Sequence, residues 1–151
     1  MTNEREDYMR RALALAREAA GHGEVPVGCV VVSPGGGIIG EGRNMREETA
    51  DASAHAEVLA IREACASAGS WKLAGCSIYV TLEPCPMCAG AIINARIPTV
   101  IFGARDPATG SCGSVINLFE ERYGHRPAVY GGALEAECPA GLPDCFKGLR
   151  S

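Results

Sequence analysis

Aromatic residues are scarce in this chain, at 5 % of 151 residues, so alanine, valine, isoleucine and leucine must do most of the packing in any core. Apolar residues still make up 47 %, which is enough to bury a core in a chain whose length favours one domain, residues 1–151. Lysine occurs only at Lys72 and Lys147, so arginine carries most of the positive charge. The formal net charge of −4 argues against a general nucleic-acid binder and confines any RNA contact to a local basic face.

Long apolar runs are missing as well. No run approaches the roughly 18 residues that a membrane-spanning helix needs, and the segment 1–7 is charged where a secretion signal would carry an apolar core. These two features predict a cytoplasmic protein with no membrane partner. The 8 cysteines of such a protein are expected to be thiols or metal ligands rather than a disulfide framework.

The hydrophobic pattern alternates between helical and strand periodicity. Helices are predicted at 3–20, 54–68, 85–95 and, as a short one, 115–122, with loops at 43–53 and 104–114. Strands are predicted at 27–32, 38–42, 76–82, 97–103 and 128–130. The tail over 133–150 carries a helical pattern that prolines and glycines interrupt. Strands joined by crossover helices predict an α/β fold with a partly parallel sheet and helices on both faces.

Two short motifs form the candidate reactive centre. Cys85 and Cys88 lie three residues apart, so two thiolates in the first turn of a helix can share one metal ion. Pro86 fits that turn because its missing N–H costs nothing there, and the positive end of the helix favours thiolate over thiol. His55 opens another predicted helix. Two helix starts are therefore predicted to converge on a zinc ion.

Glu57 follows His55 by two residues and supplies a carboxylate beside this predicted site. Such a carboxylate can take a proton from water that zinc activates and hand it to a leaving group. A closed structural zinc site needs a fourth protein ligand, and the sequence contains no second Cys-x-x-Cys or His-x-x-x-His pair. Three ligands, an open position and an acid/base group indicate hydrolytic attack on an electrophilic carbon.

The combination of His-x-Glu with Pro-Cys-x-x-Cys is the signature of zinc-dependent nucleobase deaminases, so the reaction is inferred from the motif and not from spacing alone. The sequence resembles the cytidine deaminase-like superfamily over nearly its whole length, and within it the bacterial tRNA-specific adenosine deaminases. The stretches that carry this resemblance are residues 25–28, 44, 51, 53–57, 81–91, 96–97, 102–106 and 113–114.

This resemblance implies a three-layer α/β/α cytidine deaminase-like fold with a mixed five-stranded sheet and helices on both faces. It implies one zinc ion per chain, held by His55, Cys85 and Cys88. The implied reaction hydrolyses the wobble adenosine of a tRNA anticodon loop to inosine and releases ammonia. The resemblance also implies a homodimer that builds part of its RNA surface from both chains.

The resemblance assigns roles to individual residues. Glu57 would carry a proton to the ring nitrogen and then to the departing amine. Asn44 would hold the edge of the base, the backbone N–H of Ala56 would face the substrate, and Asp106 would contact the sugar of a neighbouring nucleotide. Glu83 has a supporting or purely structural place in this scheme. The arginines that could meet phosphate are Arg43, Arg46, Arg105, Arg122 and Arg126.

The chain departs from the family pattern at three places. Ala108 stands near a position where lysine is common, Gly124 stands where asparagine is common, and Cys145-Phe146 replaces a pair of phenylalanines. These departures affect residues that would contact RNA, and they leave the predicted zinc ligands and Glu57 unchanged.

Two alternatives remain open. The first is a deaminase of a free base or nucleoside, such as guanine or cytosine, which fits the acidic charge. The second is a non-catalytic binding module stabilised by zinc, against which Glu57 and the missing fourth ligand speak.

Overall fold

The structure, a computed structural model, describes residues 3–137, so most of the predicted tail over 133–150 lies outside the described part. The helices are α1 Asn3–Gly21, α2 Arg46–Thr49, α3 Ala56–Ala68 and α4 Pro86–Ala95, with a 3-10 turn at Leu118–Glu120. The strands are β1 Gly28–Val32, β2 Ile38–Arg43, β3 Ser77–Leu82, β4 Thr99–Ala104 and β5 Ala128–Tyr130.

The five strands form one mixed sheet in the order β2-β1-β3-β4-β5. Strand β1 pairs antiparallel with both β2 and β3, whereas β3, β4 and β5 run parallel to one another. Parallel strands end at the same edge, so the loops after Leu82 and Ala104 meet there. Ligands of open α/β sheets bind beyond such strand ends, and both Cys85 and Asp106 follow at this edge.

Helices cover both faces of the sheet, which confirms the predicted three-layer fold. Helix α1 packs Met9, Ala12 and Leu15 against one face, where Val30 and Tyr79 point toward it. Helices α3 and α4 pack on the other face around a core of small aliphatic side chains. Alternate residues of each buried strand point to opposite faces, so a single apolar run such as 28–32 supplies both cores.

Two glycines let α3 lie unusually close to β2. A Cβ atom at Gly40 would collide with the backbone oxygen of Ala60, and one at Gly42 would collide with that of Ala56. The sheet edge therefore approaches the backbone of α3 at its first turn. This close approach seats the start of α3, next to His55, against the end of β2.

Most predicted elements are confirmed to within two residues at each end, but two predictions are wrong. The predicted helix at 115–122 is only a 3-10 turn, because the backbone N–H groups of Gly113 and Leu118 bond to carbonyls of the same loop. The predicted loop at 43–53 contains helix α2. Glu24 explains that helix, since its buried carboxylate accepts bonds from the N–H groups of Glu47 and Glu48.

None of the helices within residues 3–137 combines the length and the apolar character that crossing a bilayer requires.

Candidate active site

One nitrogen and two sulfur atoms from two helix starts converge beyond the ends of β3 and β4. The Nδ1 atom of His55 lies 3.6 Å from Sγ of Cys85 and 3.5 Å from Sγ of Cys88. All three ligand atoms lie within 4.8 Å of one another. Among residues 3–137 no fourth His, Cys, Asp or Glu joins this group.

This cluster fits zinc in both chemistry and spacing. Zinc takes imidazole nitrogen at about 2.0–2.1 Å and thiolate sulfur at about 2.3 Å in tetrahedral geometry, which implies a nitrogen–sulfur separation of about 3.6 Å. The two distances from His55 match that separation. A set of one imidazole and two thiolates suits zinc among the common divalent ions, so these three residues can hold it.

The surroundings of Cys85 at the start of α4 favour ionisation of its thiol. Cys85 is the residue that caps α4, Pro86 fills the first helical position, and no side chain caps the N–H groups of that turn. The pKa of Cys85 falls to about 4, because Cys88 and then His55 hydrogen-bond to the Cys85 thiolate. The shared hydrogen bond raises the pKa of Cys88 in turn. His55 caps α3 in the same way, also without a side-chain cap.

Glu57 lies in the first turn of α3 with 4 % of its surface exposed. Burial raises the pKa of this carboxyl to about 7, and the negative charge of Cys85 adds to the increase. Its side chain lines the same pocket as His55 and Cys85. A carboxyl whose pKa lies near neutral pH can both accept and release a proton during one reaction cycle.

Asn44 and Ala56 are joined to each other at the wall of the pocket. The backbone N–H of Ala56 donates to Oδ1 of Asn44 at 3.0 Å, while Nδ2 of Asn44 donates to the carbonyl of Val25 at 3.1 Å. Asn44 lines the pocket, whereas Ala56 is fully buried beneath it. Ala56 remains a predicted substrate contact, and in this structure its N–H fixes Asn44.

Asp106 reaches the pocket from the loop after β4. Its Oδ1 accepts the N–H of Ala108 at 3.0 Å, and its Oδ2 accepts the hydroxyl of Thr109 at 2.7 Å. Asp106 is 1 % exposed, and both Asp106 and Thr109 line the pocket. The predicted contact between Asp106 and a sugar therefore involves a carboxylate that also shapes its own loop.

Glu83 also lines the pocket and is almost fully buried. Burial acts to raise the pKa of its carboxyl, but hydrogen bonds from Ser114, Asp106 and Cys112 outweigh burial and lower the pKa below its usual value. Glu83 is therefore an anion at neutral pH with backbone N–H groups as partners.

The five predicted phosphate-binding arginines have different surroundings. Arg43 is bound by Glu48 at 2.6 Å and by Glu18 at 3.5 Å, so its charge is already balanced. Arg105 lies over the ring of Phe102, 5.6 Å from its centre. Arg46 lines the active-site pocket. The remaining two, Arg122 and Arg126, border a separate surface cleft.

The sequence indicated no role for Thr109 or for the apolar residues that form the pocket walls. Val25, Val27 and Leu82 form those walls. Thr109 lies beside Asp106 in the pocket lining and donates its hydroxyl hydrogen to that carboxylate. Val25 and Val27 lie in a stretch that the family resemblance already marked, which was the available signal. The pocket is lined by Val25, Val27, Asn44, Arg46, His55, Glu57, Leu82, Glu83, Cys85, Asp106 and Thr109.

Residues 2–104 match the profile of the cytidine and deoxycytidylate deaminase zinc-binding region. The tRNA-specific adenosine deaminase of Bacillus subtilis (strain 168) is 48 % identical over 144 residues, which cover 95 % of this chain and 89 % of that protein.

Two solved structures share the fold. One, from biochemical and structural studies of A-to-I editing by tRNA:A34 deaminases at the wobble position of transfer RNA, matches with a TM-score of 0.86 and 42 % identity over 90 % of this chain and 99 % of that chain. The other, guanine deaminase from Bacillus subtilis, has a TM-score of 0.66 and 32 % identity over 100 % of this chain and 98 % of that chain.

Proposed function

Because the chain belongs to the cytidine and deoxycytidylate deaminase zinc-binding family, we propose that it hydrolyses the wobble adenosine of tRNA, A34, to inosine and releases ammonia. The observation that carries the reaction is that Glu57, His55 and Cys85 line one pocket. The observation that favours this substrate is the 48 % identity to a tRNA-specific adenosine deaminase over 95 % of this chain. In this proposal residues 1–151 form one deaminase domain.

His55, Cys85 and Cys88 would hold one zinc ion per chain. A zinc ion supplies the Lewis acidity that makes water a nucleophile near neutral pH. The His/Cys/Cys group and the zinc-binding family together support this cofactor.

Glu57 moves the protons of the proposed reaction. It takes one proton from the attacking water and delivers it to ring nitrogen N1 of the adenine as oxygen adds to C6. It then takes the remaining water proton to the amino group, so that the C6–N bond breaks and ammonia leaves. The products are inosine and ammonia, and Glu57 returns to its starting state. Its burial excludes bulk water from this transfer.

The other pocket residues hold the substrate. Asn44 has one Nδ2 hydrogen engaged by Val25 and a second one that can reach the edge of the base. The base must leave the anticodon stack to enter this pocket, because C6 cannot be reached inside a stacked loop. Asp106 is proposed to contact the neighbouring sugar and Ala56 the base.

We also propose a homodimer in the cytoplasm. Large apolar side chains near the site, at Met87, Val115 and Ile116, are between 39 % and 56 % exposed, and a second chain that covered them would bury apolar surface. None of the 6 cysteines within residues 3–137 forms a disulfide, which is compatible with a reducing compartment. Light scattering behind size exclusion tests the dimer, and a monomer at micromolar concentration would contradict it.

The substrate is tested by incubating the protein with a tRNA that carries A34, and separately with free adenosine, guanine and cytosine. Inosine measured by mass spectrometry of digested tRNA is the expected product. The same tRNA with guanosine at the wobble position is the matched control, because it offers no adenosine there. Turnover of guanine with inert tRNA would overturn the proposal.

A free-base deaminase is the second candidate function. The 32 % identity to guanine deaminase along the whole chain favours it, as does the net charge of −4. The substrate panel above separates the two candidates. A tRNA deaminase should convert A34 tRNA and leave free guanine unchanged, whereas a guanine deaminase should do the reverse.

A further inference from the structure

The loop after β4, residues 105–114, is held by one buried side chain from the end of β3. Glu83 is 2 % exposed. Its Oε1 accepts the backbone N–H of Asp106 at 3.1 Å, and its Oε2 accepts those of Cys112 and Ser114, each at 3.0 Å. The hydroxyl of Ser114 donates to Oε1 as well. One carboxylate thus binds the beginning and the end of the loop.

These bonds explain how a carboxylate can be buried at this place. A buried charge is very costly unless it is paired or hydrogen-bonded. Glu83 accepts four hydrogen bonds, and all of them come from the 105–114 loop. The loop in turn gains partners for three backbone N–H groups that no helix or strand satisfies. Removing the carboxylate would therefore leave the N–H groups of Asp106, Cys112 and Ser114 without this partner.

At Gly110 the loop backbone packs directly against the carboxylate of Glu83. A Cβ atom there would collide with Glu83 and with the backbone oxygen of Asp106. The N–H of the next residue, Ser111, donates to the carbonyl of Pro84 at 2.8 Å. The loop is thus seated on the two residues that lead directly into Cys85.

The same loop forms part of the pocket wall. Asp106 and Thr109 line the pocket, and their side chains are hydrogen-bonded at 2.7 Å. Glu83 fixes the position of the Asp106 backbone. The Asp106 backbone in turn sets the direction of the Asp106 carboxylate and of Thr109, which is hydrogen-bonded to it. The other backbone bonds of the loop include Gly110 N–H to the carbonyl of Asp106 and Ser111 N–H to that of Pro84, and the first of these depends on where the Asp106 backbone lies.

We propose that Glu83 is a positioning residue for substrate, which acts by holding the 105–114 loop in the shape that presents Asp106 and Thr109 to the bound nucleotide. The inference rests on the proposed function for the identity of that nucleotide. It predicts that loss of the carboxylate weakens substrate binding more than it slows the chemistry, because neither the three predicted zinc ligands nor Glu57 lies in the loop.

The test compares wild type with Glu83→Gln, which keeps the size of the side chain and replaces one acceptor oxygen with a donor. We expect KM for A34 tRNA to rise about tenfold or more, while kcat changes by less than about threefold, the pattern of lost uniform binding. Zinc content should stay at one per chain. Amide hydrogen exchange at 106, 112 and 114 should accelerate, with exchange in β1 and α3 unchanged.

Two further variants keep the inference testable if Glu83→Gln fails to fold. Ser114→Ala removes the hydroxyl donor alone and should raise KM by about threefold, less than Glu83→Gln does, because the three backbone N–H bonds to Glu83 remain. Gly110→Ala pushes on the carboxylate from the other side and should raise KM and loop exchange as Glu83→Gln does. Ser70→Ala, a serine outside the pocket, is the matched control and should change neither.

Two results would overturn the inference. In the first, loop exchange and KM both remain at wild-type values in Glu83→Gln. In the second, zinc is lost together with activity, which would place Glu83 in support of the metal cluster instead. If the wild-type chain turns over guanine and not tRNA, the proposed function fails, while the KM ratio measured with guanine still tests Glu83.

Discussion

The carboxamide oxygen of Asn44 accepts the backbone N–H of Ala56 at 3.0 Å, so the loop after β2 and the first turn of α3 are joined beside the pocket. The same bond fixes which edge of the Asn44 amide faces the pocket. Its Nδ2 group is directed by the carbonyl of Val25 at 3.1 Å. Because both Oδ1 and Nδ2 of Asn44 are hydrogen-bonded, the side-chain amide cannot flip, and it presents one fixed arrangement of donor and acceptor to the pocket.

Asn44→Asp should therefore lower kcat/KM for tRNA by about a hundredfold. The new carboxylate can still accept from Ala56, but it places an oxygen against the carbonyl of Val25 and loses the N–H donor that we propose for the base, a loss of about 1–3 kcal/mol. Steady-state kinetics measures this effect. Asn94→Asp, on the exposed side of α4, is the matched control and should be neutral. Equal activity of Asn44→Asp and wild type would remove Asn44 from the substrate site.

Glu57→Gln should keep zinc and lose turnover by at least about a hundredfold, the usual contribution of a general acid–base group. The amide cannot accept a proton from water, although it fills the same buried space. Metal analysis and single-turnover deamination measure the two quantities. Glu63→Gln, an exposed residue of the same helix, serves as control. A fully active Glu57→Gln protein would contradict the proposed proton transfer.

Arg46→Ala should weaken tRNA binding and reduce the slope of log affinity against log salt concentration by about 1, as expected when one phosphate contact is lost. Arg46 lines the pocket and, within residues 3–137, forms no ion pair. Filter binding at several salt concentrations measures the slope. Arg17→Ala changes an exposed arginine of α1, on the other face of the sheet, and is the control. Identical slopes for both variants would exclude Arg46 as a phosphate contact.

Gly42→Ala should destabilise the fold by about 1–3 kcal/mol, because the added Cβ collides with the backbone of α3 at Ala56 and forces helix and sheet apart. Urea unfolding measures the difference. Gly90→Ala is the matched control, since a Cβ there meets nothing within 4 Å and alanine is favoured inside helix α4. Gly90→Ala should be neutral or stabilising. Equal unfolding free energies for both variants would show that α3 can move away without cost.

Glu41→Gln should destabilise the protein near neutral pH by at most about 1 kcal/mol, the size found for partly exposed ion pairs. Arg11 binds Glu41 through two bonds of 2.6 Å and 2.9 Å, and this hydrogen-bonded pairing lowers the pKa of Glu41. A lowered pKa contributes stability above the unfolded value of about 4.3, and that stability is lost as pH falls through the folded pKa.

The difference between Glu41→Gln and wild type should therefore be present at pH 7 and disappear as the pH falls below about 4. Thermal unfolding across this range measures it. Glu6→Gln is the control. Glu6 lies 3.5 Å from Arg10, a longer contact than that between Arg11 and Glu41, so its loss should change the unfolding temperature less. A difference that persists at low pH would mean that Glu41 stabilises the fold by packing rather than by charge.

The sequence by itself determined the features that depend on neighbouring residues. Helical and strand periodicity placed most elements, because side chains that share a face recur at fixed spacing. The spacing of Cys85 and Cys88 at a helix start, with Pro86 between them, predicted a shared metal ion. The family resemblance that these motifs carry was confirmed by the match over residues 2–104.

Only the tertiary structure decided how segments distant in sequence hold one another. Asn44 binds Ala56 across 12 positions and Glu83 binds Ser114 across 31, and no local pattern encodes such bonds. Non-local bonding also explains why the helix predicted at 115–122 is wrong, since the N–H groups of Val115 and Leu118 bond back to the carbonyls of Gly110 and Ser111 in the preceding loop. The sequence could place each of these residues on an element, but it could not tell which groups they would meet, because that depends on how the packed sheet brings its loops together at one edge.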